Sequence, residues 1–176
     1  MPEHDPRALL KPILAGYVLE RFGTHGVSHW ARVHENGARL AAETGADAEI
    51  VALFALFHDA RREYDGHDPD HGWRGADLAD SLRGSLIHLD DTRFDRLYEA
   101  CRLHTDGEWS DDVTIQACWD ADRLDLGRVG VRPDPQRLGS PAARALIPWA
   151  HARAVVEEKP RDTLRAWGIP PGGQRK

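Results

Sequence analysis

An all-α fold, one helical bundle spanning residues 1–176, is what the sequence predicts, and three observations carry that expectation. Apolar residues recur at three-and-four spacing through successive segments, the period of a helix with one buried stripe. No alternating apolar–polar run marks a strand, and there is no internal repeat. Glycine, proline and aspartate gather between the periodic segments, where helices need caps and stops. A chain of this length can bury roughly 70% of its unfolded surface, so it needs no disulfide or oligomer partner to fold.

The first helix is expected over Pro6–Phe22, with Leu9, Leu10, Ile13, Leu14, Tyr17, Val18 and Phe22 as its apolar positions. Gly23–Gly26 breaks it, and Thr24 and Ser28 are candidate N-caps for a second helix over about His29–Thr44, closed by Gly45. Asp47–Tyr64 follows. Its centre, Ile50–Phe57, is apolar all round, and its alanines and polar flanks favour a core helix over a buried strand. Asp65–Asp70 is a polar loop stopped by Gly66 and Pro69. Further helices are expected over about 73–82, 91–104 and 111–125, then a Gly/Pro-rich loop or lid over 127–141. A last helix, Ala142–Glu158, should be interrupted by Pro148. The functional core is expected at about 24–127, a C-terminal helix and loop at 128–169, and a frayed tail at 170–176.

With 41% hydrophobic and 30% charged residues the composition is that of a folded globular chain. A net charge of −6 argues against a nucleic-acid polymer as partner. Cys101 and Cys118 are too few and too isolated for a disulfide framework or a Cys-x-x-Cys metal site. No apolar run approaches 18 residues, so no membrane partner is expected. The first twenty residues mix acids, prolines and a lysine through their apolar positions, unlike an export signal, and a cytoplasmic location is expected. Oligomeric state stays open. The compositional excess is histidine, ten in 176 residues.

His58-Asp59 stands out because it follows directly on the buried run ending at Phe57. A carboxylate and an imidazole at the end of a core helix are costly to bury without compensation. A metal ion is the economical compensation, and this donor pair suits Zn, Mn, Fe or Ni. Upstream lies His29-Trp30-Ala31-Arg32-Val33. Downstream, Trp119-Asp120-Ala121-Asp122-Arg123-Leu124-Asp125, with Asp122 63 residues beyond Asp59, lies on an amphipathic segment.

This ordered set, H-x-x-R-V, an apolar run into H-D, then D-A-D-R-L-D, resembles the HD-domain superfamily of metal-dependent phosphohydrolases over about residues 24–127. The resemblance implies an all-α bundle whose metal ligands are His29, His58, Asp59 and Asp122. His34 and His25 are the alternatives for the first ligand. Asp120 and Asp125 would cap or pair with arginines. His71 matches the family's element after the HD helix, and His104 its mid-chain histidine. These two would bind a second metal, or contact substrate and water as catalytic groups. The implied cofactor is one or two divalent transition-metal ions (Mn, Ni, Fe, Co or Zn), with Mg as a harder alternative. Arg62 stands where the family's H-D-[IV]-G-K lysine would be, still cationic and better shaped to grip a phosphate. Arg61 and Arg123 are further candidates for substrate binding. The H-D-x-x-E-D and G-Y-P patterns of the alarmone-hydrolase and cyclic-dinucleotide branches are missing.

The leading expectation is therefore a hydrolase of a small phosphorylated molecule, a nucleotide for example, with Asp59, Arg62, His71 and His104 as its catalytic set. A di-iron oxygenase built on the same six ligands and a non-catalytic ligand-binding protein are the competing readings.

Overall fold

The structure, a computed structural model, describes residues 4–170. Among these the chain forms eight α-helices: α1 Pro6–Ala15, α2 Val27–Thr44, α3 Ala48–Phe57, α4 His71–Ser81, α5 Asp91–Leu103, α6 Val113–Arg123, α7 Pro141–Val155 and α8 Arg161–Ala166. Two 3-10 turns, Leu126–Val129 and Pro135–Arg137, lie in the segment between α6 and α7. The only β-type pairing among the described residues is a single bridge between Arg83 and Ile87. The all-α expectation holds.

The longest helix, α2, packs against α3, α6 and α7, while α4 pairs with α5 and α3 also meets α5 and α6. Their shared interior holds Trp30, Phe54, Phe57, Phe94, Ile50 and Leu97 at under 2% exposure or close to it. The buried run is a helix, as its alanines and flanks require. Asp47 caps α3 by accepting from the Glu49 and Ile50 amides, and Asp90 and Asp112 cap α5 and α6 in the same way. Gly45 closes α2 with a left-handed φ of 76°, the conformation that favours glycine at a helix end.

Four local expectations are corrected. The first helix stops at Ala15, seven residues short of Phe22, with Gly16 as its C-cap and Arg61 turned back onto its end. Its guanidinium donates to the Ile13 and Pro12 carbonyls at that helix's free end. Neither Thr24 nor Ser28 caps α2, whose N-cap is Gly26 and which has no side-chain cap. The third helix ends at Phe57, not Tyr64, so Asp59 sits in the turn that follows it. Helix α7 runs through Pro148 without interruption, and α8 follows in a stretch where no helix is expected. Of the expected frayed tail, 171–176 lie outside the described residues.

One close approach positions the site. A Cβ on Gly75 would lie 2.3 Å from the Phe57 carbonyl oxygen, so glycine lets α4 press onto the end of α3 immediately before His58. Gly75→Ala should therefore destabilise the protein by about 1–3 kcal/mol, the cost of overpacking a tight contact. Gly66→Ala, where a Cβ meets nothing within 4 Å, should stay within about 0.5 kcal/mol. Urea unfolding of both variants checks this pair.

Candidate metal centre

Five chain segments deliver the chemistry, each from a helix end. His29 lies in the first turn of α2, His58 closes α3, Asp59 follows it, His71 opens α4, His104 closes α5 and Asp122 lies in the last turn of α6. At a terminus a side chain can reach past its own helix, which lets neighbours such as His58 and Asp59 aim at one point despite the ~100° between successive helix positions.

His29 Nε2 is 3.1 Å from His58 Nε2, 3.5 Å from Asp59 Oδ2 and 3.4 Å from Asp122 Oδ1. His58 Nε2 is 3.7 Å from Asp59 Oδ2 and 3.8 Å from Asp122 Oδ1. Donors bound at about 2.0–2.2 Å to one ion stand roughly 3–3.6 Å apart, so His29, His58 and Asp59 could hold one cation, and Asp122 Oδ1 lies beside both histidines. Asp59 Oδ2 and Asp122 Oδ1, the two carboxylate atoms facing the histidines, are both buried without a hydrogen-bond partner. Orphaned buried anions are expensive, and a cation between them removes the penalty.

The outer ring nitrogens fix the tautomers. His58 Nδ1 lies 3.2 Å from the Phe54 carbonyl, His104 Nδ1 2.7 Å from the Cys101 carbonyl, and His71 Nδ1 against the Asp68 carbonyl. A carbonyl only accepts, so each Nδ1 carries the proton and donates. His29 Nδ1 donates to Asp125 Oδ2 at 2.7 Å. In its neutral form every one of these imidazoles aims an Nε2 lone pair inward, the arrangement that metal-binding histidines adopt.

Asp59 also serves a second group. Its Oδ1 is 3.2 Å from His71 Nε2 and 3.7 Å from His104 Nε2, and those two nitrogens are 2.9 Å apart. Two buried donor sets therefore share one carboxylate, and either set can hold a divalent metal.

A solved structure described as a predicted HD superfamily hydrolase, from an uncultured Thermotogales bacterium, matches this bundle with a TM-score of 0.66. The sequences are 25% identical, over 85% of this chain and 87% of that one. The chain shares the HD-superfamily fold with that structure, and its buried histidine–aspartate groups fit such a domain. No family model matches the sequence, and no curated protein does so significantly.

Within this HD fold the remaining expected residues fall into two classes. Arg62 enters the centre: its NH1 is 3.0 Å from His71 Nε2 and 3.7 Å from Asp59 Oδ1. Arg123 lines the cleft, but its guanidinium holds the Gly107, Glu108 and Arg137 carbonyls and so ties the rim together. Arg61 does not reach the cleft, being committed to the end of α1. His25 bonds Asp65 at 3.0 Å, and His34 packs edge-on to Trp167 beside a separate apolar cavity, which leaves His29 as the histidine facing His58. Asp120 accepts from the Gly139 amide and Gln116.

Sequence reasoning missed Arg128. Its NH2 is 3.8 Å from Asp122 Oδ1 and its Nε is buried without a partner, yet nothing local distinguishes it from the other nineteen arginines. Asp125 pairs with an arginine as expected, and it also holds a histidine. Besides orienting His29, Asp125 takes a two-pronged contact from buried Arg32, Nε–Oδ1 2.7 Å and NH2–Oδ2 3.0 Å.

Electrostatics agree with the geometry. Burial pushes the His58 imidazole down to about 3, so it stays neutral and able to donate its lone pair. Burial alone would raise Asp59, but His58 and hydrogen bonding to His104, His29 and His71 outweigh it and hold the carboxyl well below the usual range. The Cys101 thiol is pushed well up by burial, so that residue contributes only its carbonyl.

Asp125→Asn should weaken metal binding by about 10–100-fold, since it disturbs the partner that orients His29. Titration of the metal-free protein with Zn²⁺ measures this, and an affinity equal to that of the wild type would remove Asp125 from the design.

Proposed function

We propose that the protein is a metal-dependent phosphohydrolase acting on a small phosphorylated molecule, with nucleotides as the first class to test. The reading rests on one observation: the orphaned Asp59 and Asp122 oxygens meet the His29 and His58 nitrogens at a cleft that two arginines enter. A divalent ion held there by His29, His58, Asp59 and Asp122 would supply an activated water and a Lewis acid. The HD hydrolase description of the Thermotogales structure supports a hydrolytic role.

The chain's own residues account for the rest. The cleft measures about 430 Å³, the scale of a small-molecule site. Arg62 stands beside Asp59 and Arg128 beside Asp122, so two guanidinia flank the position a phosphoryl group would take next to the ion. Fixed cations of this kind stabilise charge that grows on the transferring group. His104, buried but pulled upward by its contact with Asp59 and by the Asp122 charge, is placed to hold a proton for the leaving oxygen. Thr105 Oγ1, 3.4 Å from His71 Nε2, adds a neutral polar group to the same wall.

The sharing of Asp59 between two histidine pairs favours one other reading, a di-iron oxygenase. Oxygen uptake by the iron-loaded protein without phosphate release would assign it.

A screen of nucleotides and sugar phosphates with Mn²⁺, Ni²⁺, Co²⁺ and Mg²⁺ should show phosphate release with at least one pair. With that substrate, Arg128→Ala should lower kcat/KM by roughly 10²-fold or more, as loss of one preorganised donor does. Arg128→Lys should recover part of the loss, because lysine keeps the charge without the planar fork. Wild-type kinetics in Arg128→Ala would contradict the role given to it.

A further inference from the structure

Two donor sets share Asp59, but they are not equally free. On the His29 side the facing carboxylate atoms lack partners. On the His71 side a cation is already in place. Arg62 NH1 lies 3.0 Å from His71 Nε2 and 3.7 Å from Asp59 Oδ1, two of the three donors that a second ion would need.

Arg62 is docked there by more than its charge. Its Nε donates to the Tyr64 carbonyl at 2.9 Å and its NH2 to the Gly66 carbonyl at 2.7 Å, which leaves NH1 against the His71 ring, 3.0 Å from Nε2 and 3.2 Å from Nδ1. The loop offering those carbonyls is fixed in turn by Asp68, which accepts from the Glu63 amide at 2.8 Å and from Arg74 NH2 at 2.6 and 2.7 Å. The Asp68 carbonyl receives His71 Nδ1–H, so one residue orients both the arginine's loop and the histidine it faces. A guanidinium stays charged at any pH the fold survives, and a divalent ion placed on the same donors would meet strong like-charge repulsion.

We infer that Arg62 takes the place of a second metal ion: the centre binds one divalent cation, at His29, His58, Asp59 and Asp122, and Arg62 supplies the other positive charge. The inference rests on the reading of the His29 group as a metal site. It separates this chain from a two-metal centre even though the histidines for a second ion are present. It also keeps His71 and His104 unmetallated, free to contact substrate or carry a proton.

Metal stoichiometry tests it without reference to turnover. Metal-free protein is titrated with Zn²⁺ by calorimetry, and the metal retained after gel filtration is counted by mass spectrometry. The wild type should bind one equivalent and Arg62→Gln two, the second lost again in Arg62→Gln/His71→Ala. Arg62→Lys, which keeps a cation on the same loop and guards against misfolding of the neutral variant, should stay at one. Two equivalents in the wild type, or one in a folded Arg62→Gln, would overturn the inference while leaving the first site standing. No binding to the wild type would overturn both.

Discussion

A single carboxylate, buried where a wholly apolar helix runs out, sets the terms for the rest of the molecule. Asp59 is 1% exposed, and the turn that carries it follows directly on Phe57 in the centre of the core. An isolated anion in such a place would neutralise or unfold its surroundings. Here four imidazoles and an arginine from four separate segments are drawn around it, which requires the ends of α2, α3, α4 and α5 to meet. The packing serves that meeting: α4 can close on α3 because Gly75 has no side chain to hold it away.

Support for the centre extends outward in layers of opposite charge. Asp125 holds His29 and is held by Arg32, whose NH1 reaches the Glu158 carbonyl at 2.7 Å and so ties the segment after α7 to His29. On the other side Asp68, clamped by Arg74, arranges the loop that carries Arg62. Removing one member of such a buried pair leaves its partner uncompensated, so these outer residues matter to the site although they do not touch its interior.

How far the sequence disclosed this follows from what each signal depends on. The existence of helices α2 to α6 was legible because their apolar period is a local fact, visible without neighbours, although the cap of α2 and the end of α3 were misplaced. The early end of α1 was missed although its C-cap, Gly16, stands in the sequence; the Arg61 contact that holds this end comes from 48 residues beyond Ile13. The apolar residues past Ala15 continue the helical period but fold back instead, with Tyr17 edge-on to Trp30 and its hydroxyl donating to the His25 carbonyl. His29, His58, Asp59, Asp122, His71 and His104 were named by the resemblance of the ordered motifs to the HD superfamily, and the structure brings all six to one place. Among the arginines sequence reasoning was weaker. Arg61, Arg62, Arg123 and Arg128 are chemically alike, and their roles at the α1 terminus, the second donor set, the cleft rim and Asp122 depend on contacts that no local pattern encodes.

The central claim is that Asp59 Oδ2 and Asp122 Oδ1 are buried without hydrogen-bond partners because a metal ion belongs between them and the two histidines. Crystals of the protein grown with Mn²⁺ and measured on both sides of the manganese absorption edge test it most directly. The account predicts a dominant anomalous peak within bonding distance of His29 Nε2, His58 Nε2, Asp59 Oδ2 and Asp122 Oδ1. A fully occupied peak elsewhere, with those four atoms bridged only by water, would contradict it.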